Sequence, residues 1–161
     1  MQIVLGAILW FAVLAVGIMA GVYFTFSTFL MQSLDRLDRP AGMVAMQTIN
    51  RVILVSPFLP LFFVSSLACA ALVVAGVVYW NLPGSWQMAA GGAAYVLGMF
   101  VVTATRNVPL NNALEATDPA GPEGEAMWRR YMKRWMAWNH VRSVACVLSL
   151  ALLVMAVMER G

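Results

Sequence analysis

Apolar residues along this chain come in four long runs, separated by three polar interruptions. The first run, residues 3–34, carries no charged side chain. A helix of ~20 apolar residues spans the hydrocarbon core of a bilayer, and this run exceeds that length. It is also longer than the apolar core of a cleaved leader, and no basic residue precedes it, so it is expected to stay as a membrane helix. Residues 35–40 (DRLDRP) form the first polar connection. Asp38 ahead of Pro40 reads as a helix start, because a capping carboxylate accepts from free amides and proline has no amide to leave unpaired. A second helix is predicted over residues 41–80, half-polar at first and membrane-embedded over 52–80. Pro57 and Pro60 should bend it, since each removes a backbone donor and crowds the turn before it. Residues 81–84 (NLPG) have the composition of a tight turn, flanked by Trp80 and Trp86 as at a lipid–water boundary. The third helix is predicted over 85–105, with its membrane part over 86–105; Gly91, Gly92 and Gly98 suit close packing. The longest non-apolar stretch, residues 106–125, ends in a loop-like DPAGPEG segment. The fourth helix is predicted over 123–158, with acids at its positive end, an amphipathic half over 123–138 and a membrane part over 139–158.

This pattern predicts an all-α fold: an integral membrane four-helix bundle forming a single domain over residues 1–161. Composition agrees, because 11% of residues are charged and 62% hydrophobic, against about 25% charged in soluble domains. A soluble bundle of this size has no room to hide so much apolar surface. Nine of the ten basic side chains fall at the first and third connections, and only Arg160 falls at the other end. The bias predicts both termini outside, with connections 1 and 3 and the extensions 41–51 and 123–138 in the cytoplasm, in a bacterial cell beneath the inner (plasma) membrane. The net charge of +3 then reflects topology and lipid head groups rather than nucleic acid binding. Membrane lipid and a small lipophilic molecule are the expected partners. Gly17 and Gly21 form a G-x-x-x-G step that would let a homodimer pack closely. Cys69 and Cys146 lie in apolar runs without a C-x-x-C pair and read as small buried residues.

Chemically capable residues concentrate at the basic end. Gln47, Asn50 and Arg51 come from the second helix, and Thr103, Arg106, Asn107, Pro109 and Asn111 from the end of the third. On an α-helix turning about 100° per residue, Trp128, Tyr131, Trp135, Trp138, Asn139 and Arg142 fall within an arc of roughly 100°. Arg142 is followed directly by apolar residues, so it either faces the bundle interior with a partner or snorkels to the head groups. His140, the single histidine, lies about 150° from that stripe and faces a different neighbour or the head groups. The amides of Gln47 and Asn50 need partners in an apolar turn, either as interhelical glue or as substrate contacts. One histidine is too few for a bis-His haem or a multi-His metal site, so no metal is expected. No acid lies inside a span, which disfavours proton-coupled transport. Amides, guanidinium, indoles and a phenol can bind a flat aromatic by stacking and hydrogen-bond its oxygens.

The pattern Gln47-x-x-Asn50 ahead of Pro57, then Asn107-x-Pro-Leu-Asn111, then Trp128…Trp135 and His140-x-Arg142 resembles the anthrone oxygenase family of four-helix membrane proteins. The resemblance implies oxidation of a lipophilic aromatic with dioxygen and no cofactor. It makes Arg142 or Arg106 candidates to stabilise an oxyanion and His140 or Tyr131 candidates to take a proton. Gln47, Asn50, Asn107, Asn111, Trp128, Trp135, Trp138 and Asn139 are the candidate substrate contacts. The alternative is a non-enzymatic module that binds a lipid, quinone or partner helix, since Trp and Arg also build interfaces.

Overall fold

A computed structural model describes residues 2–160, and these are all-helical. Four helices are long and apolar enough to cross a membrane: α1 (Gln2–Asp35), α3 (Phe58–Val78), α4 (Ser85–Glu115) and α5 (Gly124–Arg160). A shorter amphipathic helix, α2 (Arg39–Ile53), lies between α1 and α3. Their outward faces carry large apolar side chains such as Leu14, Ile18, Leu67, Val74 and Val144. That surface suits lipid, since an aqueous surface would leave it unfavourably hydrated.

The second predicted helix stops and restarts, where a bend within one helix was expected. α2 ends at Ile53 and α3 begins at Phe58. Pro57 has no amide to donate, and its ring pushes Ser56 away from helical geometry. Ser56 repairs both loose ends: its Oγ donates to the Ile53 carbonyl (2.9 Å) and accepts from the Phe58 amide (3.3 Å). Pro60 falls in the first turn of α3, where its amide would have no intrahelical partner anyway.

The third predicted helix runs on past Thr105, where the sequence suggested an end. The polar Arg106-Asn107 step and Pro109 are absorbed because α4 widens into π-helical turns over Val96–Val101 and Thr103–Asn107. A π turn shifts the hydrogen-bond register, so the missing proline donor and its ring no longer collide with a regular ladder. α1 widens similarly over Phe26–Leu30.

α5 packs against α1 and α4, and α3 packs against α4 and α1. The long core runs from Leu9 to Tyr23 on α1 and includes Phe62 and Cys69, Tyr95 and Met99, Cys146 and Leu153. A second core closes the basic end, where Met43 and Met46 of α2 meet Leu110 and Leu114 of α4 and Trp128, Tyr131 and Trp135 of α5. The opposite end is closed by the α3–α4 turn. Gly84 there has φ +74°, a conformation that favours glycine, and an added Cβ would lie 2.7 Å from the Ala156 carbonyl oxygen. Its amide donates to the Glu159 carboxylate (3.0 Å), which ties the turn to α5.

Candidate functional site

Between the two cores lies a cavity of about 320 Å³. Its walls are mostly apolar: Phe26 of α1, Ile53 of α2, Phe58 and Phe62 of α3, and Phe100 of α4 contribute, with Trp135 and Arg142 from α5. It lies beside the break at Pro57, the α2–α3 elbow, lined by Ile53 and Leu54 before it and by Phe58 and Leu59 after it. Leu54, Phe63 and Val108 line the cavity and are also exposed, so its mouth is apolar and lies between the elbow and α4.

Arg142 is the one fully charged side chain on the wall, and only 5% of it is exposed. Its guanidinium lies between two aromatic faces, 4.4 Å from the Tyr23 ring centroid and 5.1 Å from that of Trp135. Such contacts contribute about 0.5–2 kcal/mol each, most where water is excluded. Nη2 donates to Asn139 Oδ1 (2.7 Å) and Nη1 to Thr103 Oγ1 (3.3 Å). Asn139 is itself fixed, because Nδ2 donates to the Tyr23 carbonyl (2.8 Å) and to Ser27 Oγ (2.7 Å). Ser27 in turn meets Ser143 Oγ at 2.9 Å. The described residues place no carboxylate in ion-pair contact with Arg142; the ion pairs are Arg39–Glu125, Arg51–Glu115 and Arg129–Glu125, all exposed at least in part. The arginine is thus an interior residue rather than one that snorkels.

Three buried donors on cavity-lining residues have no hydrogen-bond partner: Arg142 Nε, Trp135 Nε1 and Asn50 Nδ2. A buried donor left unpaired costs about 1–3 kcal/mol. The three residues line one space, while these atoms themselves are enclosed by neighbouring protein.

The other predicted residues divide by place. Asn111 lines the cavity, and its Oδ1 accepts from the Tyr131 hydroxyl (2.8 Å). Gln47 donates to the carbonyls of Leu114 (2.9 Å) and Thr117 (3.1 Å), so it joins α2 to the end of α4. Asn107 donates to the Trp135 carbonyl (3.3 Å), joining α4 to α5. Trp128 donates to Asp35 (2.8 Å), joining α5 to the end of α1. The aromatic stripe stacks largely on itself: Trp128 on Tyr131 at 6.0 Å, and Tyr131 on Trp135 at 5.6 Å. Of that run only Trp135 reaches the cavity.

Three expected site residues lie elsewhere. Arg106 sits over the Trp138 ring at 5.0 Å, and neither lines the cavity. Arg106 is exposed, and Trp138 is half-buried against the second core. His140 is exposed and borders a shallow groove with Ala94, Gly98 and Val144, because one residue beyond buried Asn139 the helix has turned by about 100°. The sequence reading missed Tyr23, Phe58, Phe62 and Phe100, which come from runs that looked like plain membrane helix. The signals present were a lone tyrosine in the first run and Phe58 and Phe62 at helical spacing just after Pro57. Among the described residues no three His, Cys, Asp or Glu side chains gather as metal ligands.

A family model described as anthrone oxygenase matches residues 55–152, more than half of the chain. The match takes in the Asn107–Asn111 box and Trp128 through Arg142, and leaves α1, Gln47 and Asn50 outside. No curated protein and no solved structure matches significantly.

Proposed function

Since this chain belongs to the anthrone oxygenase family, we propose that it oxidises a lipophilic aromatic ketone with dioxygen in the cavity beneath the α2–α3 elbow. The observation that carries this reading is one buried guanidinium, Arg142, on the wall of an otherwise mostly apolar cavity that Trp135 and Asn50 also line. In this reading the elbow faces the cytoplasm at a bacterial inner membrane, which the clustering of basic residues at that end supports. The apolar mouth admits a substrate dissolved in lipid. Dioxygen is apolar and reaches the same space through the bilayer.

The chemistry balances without an outside reductant. A ring CH₂ beside the aromatic ketone system loses a proton and becomes an enolate. The enolate carbon gives an electron pair to dioxygen, forming a C–O bond and a peroxide anion, which takes a proton back. The peroxide then loses water as its O–O bond and the remaining C–H bond break, leaving a second carbonyl. One dioxygen is consumed and one water formed. The enolate oxygen is where negative charge develops first, and preorganised donors stabilise charge there most effectively in a dry site. Arg142, Trp135 and Asn50 serve that oxygen, while Phe58, Phe62 and Phe100 hold the rings.

Oxygen uptake by the purified protein with an anthrone tests this directly, against protein-free and Arg142→Ala samples. Loss of one preorganised donor typically lowers a rate by ~10²–10³-fold, so the variant should fall to near the spontaneous rate. Full activity in that variant removes Arg142 from the reaction. Among the described residues the cavity wall has no carboxylate or imidazole, which favours a second reading: a non-enzymatic module that holds a carbonyl-bearing lipophile such as a quinone. A stoichiometric copurified ligand without oxygen uptake supports that one.

A further inference from the structure

Among the described residues the cavity wall carries a buried cation and no anion. Arg142 is enclosed, and a guanidinium does not lose its proton under ordinary conditions. The titratable groups that act on it are two phenols and a thiol, Tyr23 from α1 and Tyr131 and Cys146 from α5. The Tyr23 hydroxyl donates to Met99 Sδ (3.3 Å) and that of Tyr131 to Asn111. α2, α3 and α4 place no acid in ion-pair contact with Arg142 among the described residues. A charge in apolar surroundings normally has a counter-charge. Here the residue best placed to supply one, on the same helix face one turn back, is the amide Asn139 rather than an aspartate.

We propose that the ligand itself supplies the missing negative charge: the cavity binds an acidic lipophilic aromatic as its oxyanion, and Asn139 is a positioning residue that orients Arg142 without neutralising it. This rests on the cavity being the ligand site. It gives the wall's lack of a base a physical meaning. The proton is released to water as the ligand ionises, and binding of the anion draws that equilibrium forward. An amide at position 139 accepts from the guanidinium and leaves its full charge for the ligand. A carboxylate of the same shape would cancel it.

The test uses a hydroxyanthraquinone dye whose phenol and phenolate absorb at different wavelengths. It is titrated into the full-length protein in detergent across pH, with empty micelles as reference. The wild type should bind the phenolate at least tenfold more tightly than the phenol, lowering the dye's apparent pKa by at least about one unit. Arg142→Gln should bind both forms within about threefold of each other, and Arg142→Lys should keep most of the preference. Asn139→Asp should bind the dye yet lose the preference, although its side chain is the same size. A role for Asn139 in folding alone would leave the preference intact in every molecule that folds, and that result overturns the positioning claim. Should Asn139→Asp not fold, the Arg142→Gln and Arg142→Lys pair decides the proposal. A wild type that binds the dye with unchanged ionisation overturns the charge inference and leaves the oxygenase reading standing. No saturable binding overturns both. Failure of the oxygen-uptake assay alone leaves the charge inference intact.

Discussion

Two substitutions of the same kind, Gly92→Ala and Gly21→Ala, should move stability in opposite directions. A Cβ on Gly92 would lie 2.5 Å from the Cys69 carbonyl oxygen and 2.9 Å from Val73 Cγ2, where α3 and α4 press together. Ordinary contact begins near 3.4 Å, so α3 must retreat by about 0.9 Å or the carbonyl must tilt out of its helix. Gly76 across the same seam is equally tight, with the Ser85 carbonyl oxygen 2.5 Å from a built Cβ, so a slide along the seam gives no relief. Overpacking of this order costs about 1–3 kcal/mol. The better helix propensity of alanine returns at most ~1 kcal/mol. With the carbonyl contact so short the cost falls toward the upper part of that range, and a net loss of up to about 2 kcal/mol is expected. Gly21, also within a helix, has nothing within 4 Å of a built Cβ and should gain up to ~1 kcal/mol from the same methyl. Unfolding in mixed micelles, followed by helix circular dichroism as the denaturing detergent is raised, measures both on one scale. Equal loss from the two variants, or no loss from Gly92→Ala, would refute the claim that α3 and α4 are held by backbone contact at glycine.

Three further outcomes follow from the geometry. His140→Ala should retain oxygen-uptake activity within about threefold, because the imidazole lies outside the cavity; a loss comparable to Arg142→Ala would return it to the reaction. Gln47→Leu removes both donors that hold α2 to the end of α4 and leaves two carbonyls short of a partner, at about 1–3 kcal/mol. It should show as faster amide exchange over the last turn of α4, with the remainder of the bundle unchanged. Gly84→Ala combines a positive φ with a contact to the Ala156 backbone, and should lower the unfolding midpoint more than Gly92→Ala does in the same micelles.

The helical class and the four apolar segments were legible in the chain because lipid-spanning helices must be long, continuous and nearly uncharged, which is a one-dimensional property. The helical wheel also brought out Arg142, Asn139 and Trp135 together, since residues three and four apart on one helix share a face whatever surrounds it. The wheel could not say what such a face meets. Trp128 and Tyr131 turned out to stack along their own helix, and Arg106 with Trp138 to form a separate pair at the edge. The π turns of α4 were invisible because they carry no composition signal, yet they let Pro109 and Asn111 continue a helix that was expected to end at Thr105.

What the sequence determined by itself, then, is membrane character, the number of long apolar helices and the polar stripe of α5. What only the tertiary structure decided is the cavity. It takes residues on both sides of the break at Pro57, Tyr23 of α1 over one face of Arg142, and helices that bring no acid to the wall among the described residues. Each of those facts joins residues far apart in the chain. An unpaired charge or donor is a property of everything around it, and no stretch of sequence read alone contains its surroundings.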